Sequence, residues 1–174
     1  MIIGIIFAIF VGHMIADTYK YKSDSIALYL IAIANDKKIS VNITKIQKLL
    51  YIVYGTFLRV YSIRLIDEHP QAWPYGPVFP TTRNVIKRKI ASEELEYPMS
   101  QIGDDIKSDA ELKKVIDFVM THFGVWNAGQ LTEWSHRDGS PWDLTVKQDG
   151  FKWGDTISDT LILEFFTKLI RVKE

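Results

Sequence analysis

Between Ile46 and Tyr61 the apolar residues Ile46, Leu49, Leu50, Val53, Tyr54, Phe57, Leu58 and Tyr61 recur at spacings of three and four. Only an α-helix brings such a set onto one stripe, so this segment predicts a long amphipathic helix at the centre of the core. Thr44-Lys45-Ile46-Gln47 just before it reads as a capping box, with Thr44 satisfying an orphan amide and Gln47 reaching back to the cap. Lys45, Lys48 and Arg59 fall off the stripe and are expected on its wetter side.

Other segments carry the same period. Ile26, Ala27, Leu30, Ile31 and Ala34 predict a buried helix from Ser23 to Asn35, capped by Ser23 or Asp24. Ser108-Asp109-Ala110-Glu111 reads as a second capping box, opening a helix with Leu112, Val115, Ile116, Val119 and Phe123 inward and Gly124 as its stop. Asn127 to Gln130 opens a shorter helix that ends near His136, and Asp138-Gly139 then turns the chain. Phe151 to Ile157 reads as a brief extended piece, followed by a last helix capped by Ser158 or Asp159 and carrying Leu161, Phe165, Leu169 and Ile170. Pro70, Pro74, Pro77 and Pro80 exclude a helix from His69 to Pro80, and Thr81 or Thr82 can cap a short helix from Arg83 to Ala91. Glu93 to Asp109 is polar and poorly periodic, which predicts a connecting loop. The expected architecture is mainly α: one compact domain of five to seven helices with at most short β segments.

The first sixteen residues contain no Asp, Glu, Lys or Arg, and Ile2 to Val11 is apolar apart from Gly4. The run is shorter than the roughly 20 residues a spanning helix needs, and no basic residue precedes it as in a signal peptide. It reads either as a segment packing on the core or a partner, or as an upstream start added before Met14; contact of residues 1–16 with lipid stays open. The chain is therefore divided into an apolar extension, residues 1–22, and a helical domain, residues 23–174, and a version starting at Met14 is expected to fold.

Several chemistries lack their residues. There is no cysteine, which removes thiolate metal sites, thiol catalysis and disulfides and suits a reducing, cytoplasmic setting. The glycines are scattered and form no phosphate loop, and His13, His69, His122 and His136 make no metal-binding pair on one helix. No cofactor or metal is expected. Lys plus Arg equal Asp plus Glu at 21 each, so no surplus of cations marks a nucleic-acid footprint, and Lys87-Arg88-Lys89 reads first as a solvated face, with a nucleic-acid-binding regulator as the alternative.

Two segments stand out from ordinary core. Ala72-Trp73-Pro74-Tyr75-Gly76-Pro77-Val78 sets two aromatics in a stiff backbone; it can fold beneath the core as a wedge, the favoured reading, or present Trp73 and Tyr75 as anchors to a partner. Ser135-His136-Arg137-Asp138-Gly139-Ser140-Pro141-Trp142 puts an imidazole at a helix end, where the dipole can favour its charged form or a hydrogen bond can pin the loop. No nucleophile at recognisable spacing accompanies His136, so loop-pinning is preferred over a general base in a hydrolase-like site.

Taken in order, Lys45 to Tyr51 with Lys48 and Tyr51, then Ala72-Trp73 with Tyr75-Gly76-Pro77-Val78, then Leu131 with Ser135-His136 and Ser140-Pro141-Trp142, resemble the Panacea domain. That family includes the SocA-like antitoxins and GepA-type phage-associated proteins. Gly154 to Asp159 and Glu164-Phe165-Phe166 resemble the family's closing pattern, so the likeness covers about Ser23 to Ile170. Three features depart from it: the apolar extension, Pro74 at a position usually without proline, and Ser135 where Thr commonly precedes the histidine. The resemblance implies a non-enzymatic, mostly helical domain that binds a cognate protein toxin, either neutralising it directly or delivering it to a protease as an adaptor. It implies Lys48, Tyr51, Trp73, Tyr75, Gly76, Pro77, His136, Pro141 and Trp142 as the motif or partner-binding residues, and it does not identify the toxin.

Overall fold

A computed structural model describes residues 3–5 and 16–172 of the 174-residue chain. Most of the apolar run, with His13 and Met14, lies outside the described residues. Among the described residues the order is β1 (Ile3–Ile5), β2 (Ala16–Tyr21), α1 (Ser23–Asp36), α2 (Ile43–Tyr61), β3 (Ile63–Ile66), β4 (Gln71–Trp73), β5 (Gly76–Val78), α3 (Pro80–Lys89), α4 (Asp104–Lys107), α5 (Ala110–Phe123), α6 (Ala128–His136), α7 (Pro141–Val146), α8 (Asp159–Leu169) and β6 (Ile170–Val172). The strands form three two-stranded pairs: β1 with β6 and β2 with β3, both parallel, and the antiparallel hairpin β4–β5. The domain is mainly α, as the periodicity predicts.

The striped helix is the axle of the molecule. It packs against α1, α3, α5, α6, α8 and β5, so cover arrives from every side and 15 of its residues are buried. Lys45 and Lys48, expected on the wet side, are 7% and 1% exposed. An amphipathic stripe names the face that must be buried; it does not stop other elements from covering the rest. Gly55 lets α8 approach closely, since a Cβ there would clash with the Phe166 ring.

Several helix starts differ from the sequence reading because a better acceptor was at hand. Asn42, not Thr44, caps α2 by accepting from the Lys45 amide at 2.9 Å, and the freed Gln47 side chain accepts from the Phe79 amide at 2.7 Å. Asp109 caps α5 through the Glu111 and Leu112 amides, while Ser108 ends α4. Helix α1 begins at Ser23 itself: the Ser23 amide donates to Asp67 Oδ1 at 2.9 Å and its hydroxyl to Glu68 Oε2 at 3.2 Å. Pro80 is the first residue of α3, where its missing N–H costs nothing. Glu68 also accepts from the Thr81 amide at 2.5 Å and from the Thr82 amide and hydroxyl at 3.0 and 2.8 Å, so one carboxylate serves two helices. Helix α6 opens where expected, with Asn127 and Gln130 forming a capping box, and of the two caps expected for α8 it is Ser158 that is used.

The expected loop at 93–109 contains a 3₁₀ turn (Met99–Gln101) and α4. Leu95, Ile102 and Ile106 are buried, and Asn35 clamps the segment by donating to the Leu95 carbonyl and accepting from the Tyr97 amide. Its apolar residues are too few and too unevenly spaced to show a period. Of the expected extended piece at 151–157, Thr156 makes an antiparallel bridge to Gln71, and the segment covers the hairpin edge through Ala72 N–H to Asp155 O at 2.8 Å and Gly154 N–H to Ala72 O at 2.9 Å. Residues 18–22, grouped by sequence with the extension, are tied to the body: Tyr21 donates to Asp109 at 2.8 Å and Lys20 pairs with Asp109 at 2.8 Å. Among the described residues no helix is long and apolar enough to cross a membrane.

Candidate functional site

Lys48, the hairpin and the His136–Trp142 pair come from three parts of the chain and converge around Gly76, while Tyr51 packs elsewhere, on Phe166. Lys48 rises from α2 and donates to the Pro77 carbonyl at 3.0 Å, fastening β5 to the axle. Trp142, in the first turn of α7, donates from Nε1 to the Trp73 carbonyl at 2.8 Å, holding the other strand of the hairpin. The His136 ring, at the end of α6, stacks on Trp142 with centroids 3.8 Å apart and planes 4° from parallel. Gly76 fills the junction with φ +99°, and a Cβ would lie 2.8 Å from Ser135 Oγ, 3.0 Å from His136 Nε2 and 3.0 Å from Lys48 Cε. Only glycine tolerates both that backbone and that crowding.

The hairpin strands are wedged into the body and the turn between them is exposed. Ala72, Gly76, Pro77 and Val78 are buried and Trp73 is half-buried, with the Arg83 guanidinium 5.5 Å over the Trp73 ring. Tyr75, at the turn, is 77% exposed. Pro141 is buried as the first residue of α7, a helix that periodicity is too short to reveal; Ser140 caps it by accepting from the Asp143 amide at 3.1 Å. Tyr51 is buried with its ring edge-on to Phe166 at 6.0 Å, and its hydroxyl has no hydrogen-bond partner among the described residues.

The electrostatics follow from burial. Lys48 has no carboxylate within ion-pair distance among the described residues, and burial pushes its ammonium down to about 7. Burial lowers His136 as well, and the Lys48 charge lowers it further, against an opposing contribution from the Tyr75 backbone. The helix-end dipole invoked from the sequence is thus outweighed, and the imidazole is held toward its neutral form. Burial raises the Tyr51 phenol, opposed by the Arg137 charge.

The hydroxyls beside His136 serve the backbone: Ser135 donates to the Thr132 carbonyl and Ser140 to the Ser135 carbonyl, both at 2.8 Å. Lys48, Trp73 and Tyr75 border a cavity of about 100 Å³, and a larger open depression of about 660 Å³ between 35–40 and 94–99 contains none of the motif residues. Among the described residues no group of His, Asp and Glu could hold a metal ion. Lys87, Arg88 and Lys89 are exposed in the last turn of α3. Gln47 and Arg83 join the assembly although their positions carried no such signal; Gln47 read as a cap and Arg83 as an ordinary helical residue.

The family described as "Antitoxin SocA-like, Panacea domain" matches residues 46–143, a span that holds all nine motif residues. The chain belongs to this family. Antitoxin SocA of Caulobacter vibrioides (strain NA1000 / CB15N) is 31% identical over 120 residues, 63% of this chain and 62% of that protein. The chain thus spans about three-fifths of the length of this curated Panacea relative. No solved structure matches it.

Proposed function

We propose that this Panacea-domain chain is a non-catalytic protein-binding module, the antitoxin of a toxin–antitoxin pair, which neutralises its toxin by direct binding. The observation that carries this is the division of labour at the hairpin. Its backbone is bolted to α2 and α7 by Lys48 and Trp142, while Tyr75 stands 77% exposed at the turn. An aromatic presented on a braced backbone loses little entropy on docking, which is what a recognition anchor needs. The kinship with an antitoxin supports the same reading. The partner in this reading is a protein toxin encoded nearby, and delivery of that toxin to a protease is compatible with the same face.

The test is co-expression with the product of each adjacent gene. Growth rescue and co-purification are expected for one of them, and Tyr75→Ala should weaken both while leaving the fold intact. Absence of rescue and of complex with every neighbour would refute the proposal.

A further inference from the structure

A second feature lies behind the brace. A cavity of about 170 Å³ sits between α2, α5, α6 and α8, walled by Phe118, Phe123, Trp126, Trp134, Phe166 and Leu169. Two polar groups also line it. Thr56 is fully buried in α2, and its Oγ1 has no hydrogen-bond partner among the described residues. Arg137 contributes a guanidinium whose Cζ lies 4.6 Å over the Trp134 ring and 4.6 Å over the Phe165 ring. Among the described residues no carboxylate lies within ion-pair distance of Arg137.

A half-buried cation resting in the corner of two rings set 74° apart, with no carboxylate at ion-pair distance among the described residues, has donors free to take an anion. Burial already pulls the guanidinium below its ordinary value, and the rings attract the cation without satisfying its five N–H donors. A fully buried hydroxyl without a partner among the described residues lines the same cavity. The remaining wall is aromatic and aliphatic, and an apolar space of about 150 Å³ is enough to take a benzene ring. Apolar walls with a few convergent polar groups are the usual make-up of a small-ligand site.

We propose that this cavity binds a small aromatic carboxylate, with the ring against Phe123, Trp134 and Phe166, the carboxylate accepting from Arg137, and Thr56 Oγ1 donating to the ligand. Such a ligand completes the guanidinium through a charge-assisted, two-pronged hydrogen bond that a neutral amide cannot reproduce. Arg137 directly follows His136, so the occupied cavity abuts the brace. This inference goes beyond the antitoxin reading and does not depend on it.

The experiment is a titration of the full chain with benzoate and, separately, with its neutral isostere benzamide, followed by Trp fluorescence and by NMR of the Ile52, Leu169 and Ile170 methyl groups. Benzoate should saturate those signals and bind at least tenfold more tightly than benzamide. Arg137→Gln should reduce that preference to less than threefold, and Thr56→Val should weaken benzoate while preserving the unliganded melt. The benzoate–benzamide comparison on the unaltered chain needs no variant, so a folding defect in either substitution leaves the test standing. Equal binding of the two probes, no response to millimolar benzoate, or shifts confined to other residues would overturn the proposal. A cavity that shifts only when a toxin binds, and not with benzoate, would equally overturn it in favour of a partner's side chain.

Discussion

Lys48→Met should abolish a rise in stability that the unaltered chain shows on the alkaline side of neutrality. Burial holds the Lys48 ammonium at about 7, against 10.5 for an ordinary lysine. Below pH 7 the folded and unfolded chains both carry the proton, and Lys48 contributes no pH dependence. Above pH 7 the folded chain has released it while the unfolded chain keeps it. The unfolded state then binds more protons, so the free energy of unfolding rises with pH and is lost again as the pH falls toward 7. At about 1.4 kcal/mol per pH unit once past the folded-state value, the gain is about 2 kcal/mol by pH 9 and approaches about 5 kcal/mol near pH 10.5. Methionine keeps similar length and flexibility without the charge. Urea unfolding at pH 7, 8 and 9, followed by Trp fluorescence, should therefore show the difference between the two chains moving by about 2 kcal/mol in favour of the unaltered one. Stopping at pH 9 avoids the buried Tyr51 and Tyr54 phenols, whose raised values act in the opposite direction above pH 10. Parallel pH profiles for the two chains would refute the reasoning, because they would mean that the ammonium stays charged and hydrated inside the fold.

Other perturbations separate the remaining arguments. Gly76→Ala should cost about 3 kcal/mol or more in urea unfolding, combining a left-handed backbone with three close contacts. Gly139→Ala, at φ +73° with open space around it, should cost only about 1 kcal/mol and thus isolates the backbone share. Asn42→Ala should lower stability by about 1 kcal/mol while Thr44→Ala stays within about 0.5, and the reverse order would restore Thr44 as the cap. Tyr75→Ala should leave the thermal midpoint unchanged because the side chain is 77% exposed, yet weaken co-purification with the proposed toxin; a large drop in midpoint would show that Tyr75 supports the fold.

Much of the fold was legible because helix-forming stripes are local. The inward residues of α5, from Leu112 to Phe123, are buried as their spacing predicts. What sequence spacing could not carry is partnership across the chain. Thr44 and Gln47 form a sound capping pattern on paper, but Asn42 lies closer to the helix start and Gln47 is claimed by Phe79, 32 residues away. Lys48 read as solvated because a single helix has a wet side; five other helices and a hairpin remove it. The motif segments were recognisable as unusual, yet their convergence on Gly76 depends on α7, whose 6 residues are too few to show a period.

The shared acceptor at Glu68 constrains how the molecule can come apart. The opening turns of α1 and α3 draw on one side chain in the loop that precedes the hairpin. Displacing Glu68 strands the Ser23 hydroxyl of α1 and the Thr81 and Thr82 donors of α3 together, so Glu68→Ala should loosen both helix starts at once, read as faster amide exchange in the first turn of each. Glu68 thus ties the loop before the hairpin to the first long helix of the chain, and the tip and the root of the domain share one fastening.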